Sequence, residues 1–316
     1  MTVAWVLGSG GLLGASLCRQ LDRSGCRRFV PAEPFAWQNA ELLPRQMANA
    51  VESLASLVGP TDSWEIYWAA GVGAMGSSAA SLAPETQAFE VLLECLTAQS
   101  NLQSATGQLA FASTAGGIYA GSKDDIITEN SVPAPTTDYA REKLRQEALL
   151  CGFAANNQRA TAFIARITTL YGPGQATGKR QGLISHLARN ILRNHPVQIY
   201  VPYDTIRDYI TADDAAAVMI AALRETASPQ PVVIKIVASE RPTTIAEIVS
   251  IFKKIARRAP RIVTSANRLS SLYARRVLFR SIITTGVPKT AATPIAIGIA
   301  QMMAAERNAF MRSSGS

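Results

Sequence analysis

Short apolar runs alternate with longer amphipathic stretches through the first half of the chain, and that alternation predicts strands and helices in turn. VAWVLG (3–8) is an apolar run stopped by glycine, and LLGASLCRQLDRSG (12–25) carries Leu13, Leu17 and Leu21 at helical spacing before Gly25. RRFVPA (27–32) predicts a second strand, weakened by Pro31. LPRQMANAVESLASLVG reads as a helix and WEIYWAAG (64–71) as a strand. PETQAFEVLLECLTAQS (84–100) reads as a helix with Pro84 suited to its first turn. GQLAFAST (107–114) predicts a strand, followed by a glycine-rich loop and the helix TTDYAREKLRQEALL (136–150). RATAFIARITTLYG (159–172) predicts the next strand. Such repetition specifies an α/β fold with a parallel sheet covered on both faces.

After Gly172 the pattern loosens. LISHLARNILRN is helical, PVQIYV a strand, and TADDAAAVMIAALRE (211–225) a helix capped at Thr211. VVIKIVAS (232–239) is a strand. TTIAEIVSIFKKIARR is a helix opened by Thr243 or Thr244, with Glu247 at capping-box spacing. A second, smaller part, discontinuous in sequence, follows from this arrangement.

Composition narrows the class. The chain has 316 residues, 48% hydrophobic and 17% charged, as a soluble globular protein does. The runs AAAVMIAAL (215–223) and AIGIAQMMAA (296–305) are too short to span a bilayer. The N-terminus reads as a strand and not a signal peptide. Cys18, Cys26, Cys95 and Cys151 show no C-x-x-C spacing, which fits reduced thiols and a cytoplasmic location. His186 and His195 stand apart from any acidic or cysteine cluster, so no metal site is expected. The net charge of +8 is concentrated late, in Lys253, Lys254, Arg257, Arg258, Arg261, Arg268, Arg275, Arg276 and Arg280. No nucleic-acid motif or interleaved aromatic residue accompanies these charges, so an anionic small molecule is the expected partner and nucleic acid is not. RRVLFRS (275–281) coincides with the in-frame translation of a common sequencing adapter, and its arginines carry little weight in that balance.

Between the first strand and first helix, GSGGLLG sets Gly8, Gly11 and Gly14 at G-x-x-G-x-x-G spacing. Gly8 permits a tight turn, Gly11 lets backbone approach a pyrophosphate, and Gly14 allows close helix–strand packing, with the phosphate on the helix N-terminus. Glu33 lies at the end of the second strand, where a carboxylate binds the adenosine ribose and repels a 2′-phosphate. NAD is the favoured cofactor on that ground, with NADP the alternative because Arg27 and Arg28 lie nearby.

Tyr139 and Lys143 project one turn apart from one helix face. A free tyrosine is a poor base at neutral pH, and a neighbouring ammonium would lower its pKa. FASTAGG offers hydroxyls at Ser113 and Thr114 on a central strand end, where doubly wound sheets place ligands.

With these pieces in order, the chain resembles the extended short-chain dehydrogenases/reductases, the NAD-dependent epimerase/dehydratase family. GSGGLLG (8–14), YWAAG (67–71), FASTAGGIYA (111–120), YAREK (139–143), RITTLYGPG (166–174), IRDYITADDAAAV (206–218) and ERPTTIAEIV (240–249) carry the resemblance. It implies a Rossmann domain over 1–171 and 208–238 and a substrate-binding domain over 172–207 and 239–316. It implies cofactor contacts from Gly8, Gly11, Leu12, Leu13, Gly14, Glu33, Ala69, Ala70, Gly71, Tyr139 and Lys143. The implied catalytic set is Tyr139 and Lys143 with Thr114 or Ser113. Thr169 and Arg207 would contact a nucleotide-diphosphate sugar, with Arg207 on its phosphates, and the helices at 84–100 and 138–152 would form a homodimer.

The departures are informative. Ala115, Gly116 and Gly117 stand where family dehydratases and decarboxylases carry an acid, which disfavours those reactions. An asparagine common in the 84–100 helix is missing, and Thr169 replaces another. The expected activity is an NAD(P)-dependent epimerase or ketoreductase in which Tyr139 moves the proton of the substrate hydroxyl. The alternatives are a non-catalytic dinucleotide-binding or redox-sensing protein, or an oxidoreductase of a steroid-like or other small alcohol.

Overall fold

A computed structural model describes residues 1–175, 182–226, 231–257, 259–264, 276–286 and 292–314. Arg258, Arg268 and Arg275 of the basic cluster lie outside the described residues. The chain runs β1 (Thr2–Leu7), α1 (Leu12–Arg23), β2 (Arg27–Phe29), α2 (Leu42–Leu57), β3 (Ser63–Trp68), α3 (Ala79–Ala98) and α4 (Ser100–Ser104). It continues through β4 (Thr106–Thr114), α5 (Ala115–Ile118), α6 (Asp138–Ala155), β5 (Ala160–Ile167), β6 (Thr169–Tyr171), α7 (Leu183–Leu192) and β7 (Val197–Ile199). The remainder is β8 (Ile206–Thr211), α8 (Ala212–Glu225), β9 (Val232–Val237), β10 (Pro242–Thr244), α9 (Ile245–Ala256), β11 (Ile262–Thr264) and α10 (Ile295–Ser314).

Six strands form one parallel sheet in the order β2-β1-β3-β4-β5-β9. Successive strand residues point to opposite faces, and each face is buried by its own helices. On β1, Val3, Trp5 and Leu7 join the core under α2, α3 and α6, whereas Ala4 and Val6 join the one under α1 and α8. Burial on both faces explains why these strands read as apolar runs without alternation. Trp5, Trp68, Phe89 and Phe111 are fully buried, and the contacts Trp5–Phe35, Phe35–Trp37, Trp37–Trp68, Trp68–Phe89 and Phe89–Phe111 form a continuous aromatic chain. Truncating one such ring to alanine costs about 3–5 kcal/mol.

A three-stranded sheet, β10-β8-β6, and a two-stranded one, β11-β7, lie beside a second core of α7, α9 and α10 side chains, including Leu187, Ile248, Phe252, Ile299 and Met302. The continuous strand predicted over 159–172 is therefore two strands. The break falls at Thr168, whose amide donates to the Val237 carbonyl (3.0 Å) and whose hydroxyl donates to Asp208 (2.6 Å). Asp208, buried, also accepts from the amides of Ser239 and Arg241 and from the Ser239 hydroxyl. Residues 169–171 and 206–211 thus pair within the smaller sheet, so the expected boundaries at 171 and 208 cut through it.

Two further expectations shift. α3 starts at Ala79, capped by the Ser78 side chain accepting from the Ser81 amide, and Pro84 lies inside it rather than in its first turn. β2 ends at Phe29, before Pro31. The α8 cap at Thr211 and the Thr244–Glu247 capping box stand as the sequence predicts. Among the described residues no helix is long and apolar enough to cross a membrane.

Candidate active site

The crevice between β1 and β3, where the strand order reverses, holds the glycine turn. Gly8 has φ +83°, and a Cβ on it would lie 2.5 Å from the Ala70 amide nitrogen, so the turn is pressed against Ala69 and Ala70. A Cβ on Gly14 would lie 2.1 Å from the Gly8 carbonyl oxygen. Gly11, by contrast, would bring its Cβ near Gly8 O alone, at 3.2 Å, which leaves open backbone where a ligand can approach. Gly11 caps α1 without a side-chain hydrogen bond, so no side chain competes with an anion for the helix amides. These residues fit a dinucleotide pyrophosphate. Leu13 is buried in the core, so only its backbone amide can take part, while Leu12 is partly exposed and Gly71 is exposed with φ +143°. Glu33 is exposed past the end of β2, and Arg28 is paired with Asp22 (2.5 Å). Gly14→Ala is expected to cost about 1–3 kcal/mol by overpacking against the Gly8 carbonyl and to abolish NAD binding, measured by thermal unfolding and fluorescence titration.

Ser113 and Thr114 end β4 but serve different neighbours. Ser113, buried, donates to Glu147 on α6 (2.5 Å). Glu147 in turn holds Arg166 of β5 in a two-oxygen ion pair, the shortest contact 2.6 Å, and Arg166 donates to the Tyr119 hydroxyl. Thr114 instead lies near the Tyr139 phenol, whose pKa it draws down, and caps α5 by accepting from the Gly117 amide (3.2 Å). Both hydroxyls are at the strand end as expected, with Ser113 committed to Glu147 and Thr114 the one nearer Tyr139.

α6 opens at Thr137, whose hydroxyl accepts from the Ala140 amide, and this fixes Tyr139 in the first turn. Burial first, then the Glu85 carboxylate, push the Tyr139 phenol up to about 12, against the Thr114 hydrogen bond. Lys143, one turn on, is 6% exposed, and burial pulls its ammonium below the usual lysine range while Glu85 and Glu147 oppose. Its Nζ donates to Gln146 (3.0 Å), lies 4.9 Å from the Phe111 ring centroid, and reaches Thr86 of α3 through Gln146. From sequence, Lys143 is the group that lowers the Tyr139 pKa; in the structure its ammonium engages Gln146, and Glu85 acts on Tyr139 in the opposite sense. Glu85 and Gln146 belong to no sequence motif, and nothing local marks them.

Thr169 and Arg207 lie on β6 and β8 of the smaller sheet. Thr169 is opposite Tyr209 and Arg207 opposite Thr243, and both are partly buried. Arg207 Nη1 donates to its neighbour's carbonyl, Ile206 O (2.8 Å).

The NAD dependent epimerase/dehydratase family profile matches residues 4–236. The dTDP-4-dehydro-6-deoxyglucose reductase of Escherichia coli is 28% identical over 116 residues, 37% of this chain and 36% of that protein. The match therefore spans about a third of the relative's length. Among solved structures, a UDP-glucose 4-epimerase from Thermus thermophilus, in complex with NAD, superposes with TM-score 0.76 at 20% identity, covering 98% of this chain and 100% of that one. RMD from Pseudomonas aeruginosa, complexed with NADPH, superposes with TM-score 0.77 at 18% identity over 98% and 100% of the two chains.

Proposed function

The chain belongs to the NAD dependent epimerase/dehydratase family, and on that premise we propose that it is an NAD-dependent epimerase or ketoreductase of a nucleotide-diphosphate sugar. The observation that supports this reading is the Tyr139–Lys143 pair at the start of α6, beside the 71–73 turn after β3 and at the same end of the sheet as Thr114 and the glycine turn. Gly8, Gly11, Gly14 and the first amides of α1 would hold the dinucleotide, with Ala69, Ala70 and Gly71 lining its far side and Glu33 near the adenosine ribose. When bound, the nicotinamide supplies hydride acceptance and return at the substrate carbon.

The chain's own residues handle the proton. Tyr139 takes the proton of the substrate hydroxyl as a carbonyl forms and returns it in the reverse direction. Thr114 lies beside the same phenol, and Lys143, held on Gln146 one turn along α6, stands ready to contact the bound cofactor. Ser113 supports the site at one remove, through Glu147. The nucleotide sugar named by the E. coli reductase supports the substrate class, with Arg207 and Thr169 as its phosphate-side contacts. In the same reading the smaller sheet and α7, α9 and α10 form the substrate-binding part. A homodimer forms through α3 and α6, whose outer faces leave a groove lined by Leu93, Thr97, Leu149 and Phe153.

Native mass spectrometry of the purified chain, followed by turnover assays on a panel of nucleotide sugars, tests this proposal. Retained NAD with turnover is expected for an epimerase, and an empty site with NAD(P)H consumption for a reductase. Dinucleotide binding with no turnover across the panel would overturn catalysis in favour of a non-catalytic sensor.

A further inference from the structure

Glu85 comes from α3, outside every segment that supplies the glycine turn, Thr114 or Tyr139. Its Oε1 accepts the backbone N–H groups of both Val72 and Gly73 at 2.6 Å. A Cβ on Gly73 would stand 3.3 Å from Glu85 Oε1 and 3.3 Å from Tyr139 Cδ2, so the carboxylate and the phenol ring flank the same glycine. A Cβ on Gly71 would stand 3.0 Å from Glu85 Oε2, so the carboxylate lies along the whole 71–73 turn that follows the β3 end. Positions 115–117 carry no acid, and Glu85 is a carboxylate that another element brings near Tyr139.

We propose that Glu85 is a positioning residue for the Tyr139–Lys143 pair: its carboxylate anchors the 71–73 turn against the Tyr139 ring and sets a fixed anion beside the pair. This rests on the proton-transfer reading of Tyr139. The two tasks are chemically separable. Anchoring needs only an oxygen that accepts from the Val72 and Gly73 amides, which a glutamine carbonyl also provides. The electrostatic task needs the negative charge.

The groups facing the pair define what that charge does. Glu85 on α3 lies near both members, Thr114 on β4 lies beside the phenol, and Glu147, with Gln146, faces Lys143 from α6. An anion beside a phenol opposes phenolate formation, so it holds the Tyr139 proton more tightly; beside an ammonium it favours the charged form. Removing the Glu85 charge therefore lets Tyr139 ionise at lower pH. It also removes one of the two carboxylates that support the Lys143 charge.

The test is a tyrosinate absorbance titration of the NAD⁺-loaded full chain, with the Tyr139→Phe titration subtracted to isolate this phenol. Glu85→Gln is expected to lower the Tyr139 midpoint by about one pH unit while leaving NAD affinity and the thermal midpoint near wild type. Glu85→Asp, which keeps the charge but shortens the reach to the turn, is expected to leave the midpoint high and weaken NAD binding. A Glu85→Gln titration that coincides with wild type overturns the inference, as does a Glu85→Asp variant that titrates like Glu85→Gln. The reading beneath it fails separately, by full turnover in Tyr139→Phe, and the spectroscopic midpoint needs no substrate.

Discussion

Tyr139→Phe is expected to lower turnover of the cognate substrate by about 10²–10⁴, the usual worth of a positioned proton-transfer group, while NAD binding stays within a few-fold of wild type. The substitution deletes only the hydroxyl. The ring edge that packs beside Gly73 is retained, and Tyr139 stays held in the first turn by the Thr137 cap. Steady-state kinetics alongside fluorescence titration of NAD separates the two effects. A variant that keeps more than a tenth of wild-type turnover would remove Tyr139 from the chemistry. With the phenol pushed up to about 12 by burial and by Glu85, the protonated form dominates at neutral pH, so the activity attributed to the phenolate should rise with pH on its acid limb. That limb should vanish in Tyr139→Phe.

The second large effect concerns stability. Glu147→Ala is expected to cost about 3–5 kcal/mol, because it strands a buried guanidinium rather than merely deleting a favourable contact. Arg166 is 6% exposed and Glu147 4%. Once the carboxylate is gone, Tyr119 is the remaining side chain that accepts from Arg166. Ser113 loses its acceptor in the same step. Because β5 and α6 are joined by this pair, the loss should appear as a lower denaturation midpoint by far-ultraviolet circular dichroism at unchanged slope. A cost below about 1 kcal/mol would mean that Arg166 finds water or another acceptor. Glu147→Gln keeps the shape and one acceptor oxygen, and should fall between the two. Ser113 and Thr114 are adjacent on β4, so the same network ties the end of that strand to α6.

The chemistry and the supporting network were unequally legible in the amino-acid string. The glycine turn could be assigned because its constraints are local: Gly8 and Gly14 are required by contacts within a few residues or with the neighbouring strand end. Tyr139 and Lys143 could be paired because helical geometry alone sets i and i+4 on one face. The choice between Ser113 and Thr114 was open, since both hydroxyls sit at a strand end and only the partner across the fold distinguishes them. Glu85 carried no local signal because its place depends on where α3 begins, and the start at Ala79 puts Pro84 inside the helix and sets Glu85 beside the 71–73 turn.

By itself the sequence determined the alternation of strands and helices, the parallel sheet buried on both faces, the glycine turn, the Thr211 cap and a capping box on Glu247. Each of these depends on side-chain period, backbone freedom or hydrogen bonds a few residues apart. Only the tertiary structure decided that the 159–172 segment changes sheets at Thr168, that Asp208 gathers donors from two segments, and that Ser113 serves Glu147 while Thr114 caps α5 beside Tyr139. It likewise decided that Lys143 rests on Gln146 and that an acid on α3 borders Tyr139. The decisive contacts among them join residues 34 or 40 positions apart, Ser113 with Glu147 and Thr168 with Asp208, or link α3 to the 71–73 turn. At that range the partner is chosen by packing and by the need to satisfy buried polar groups, which no local pattern encodes.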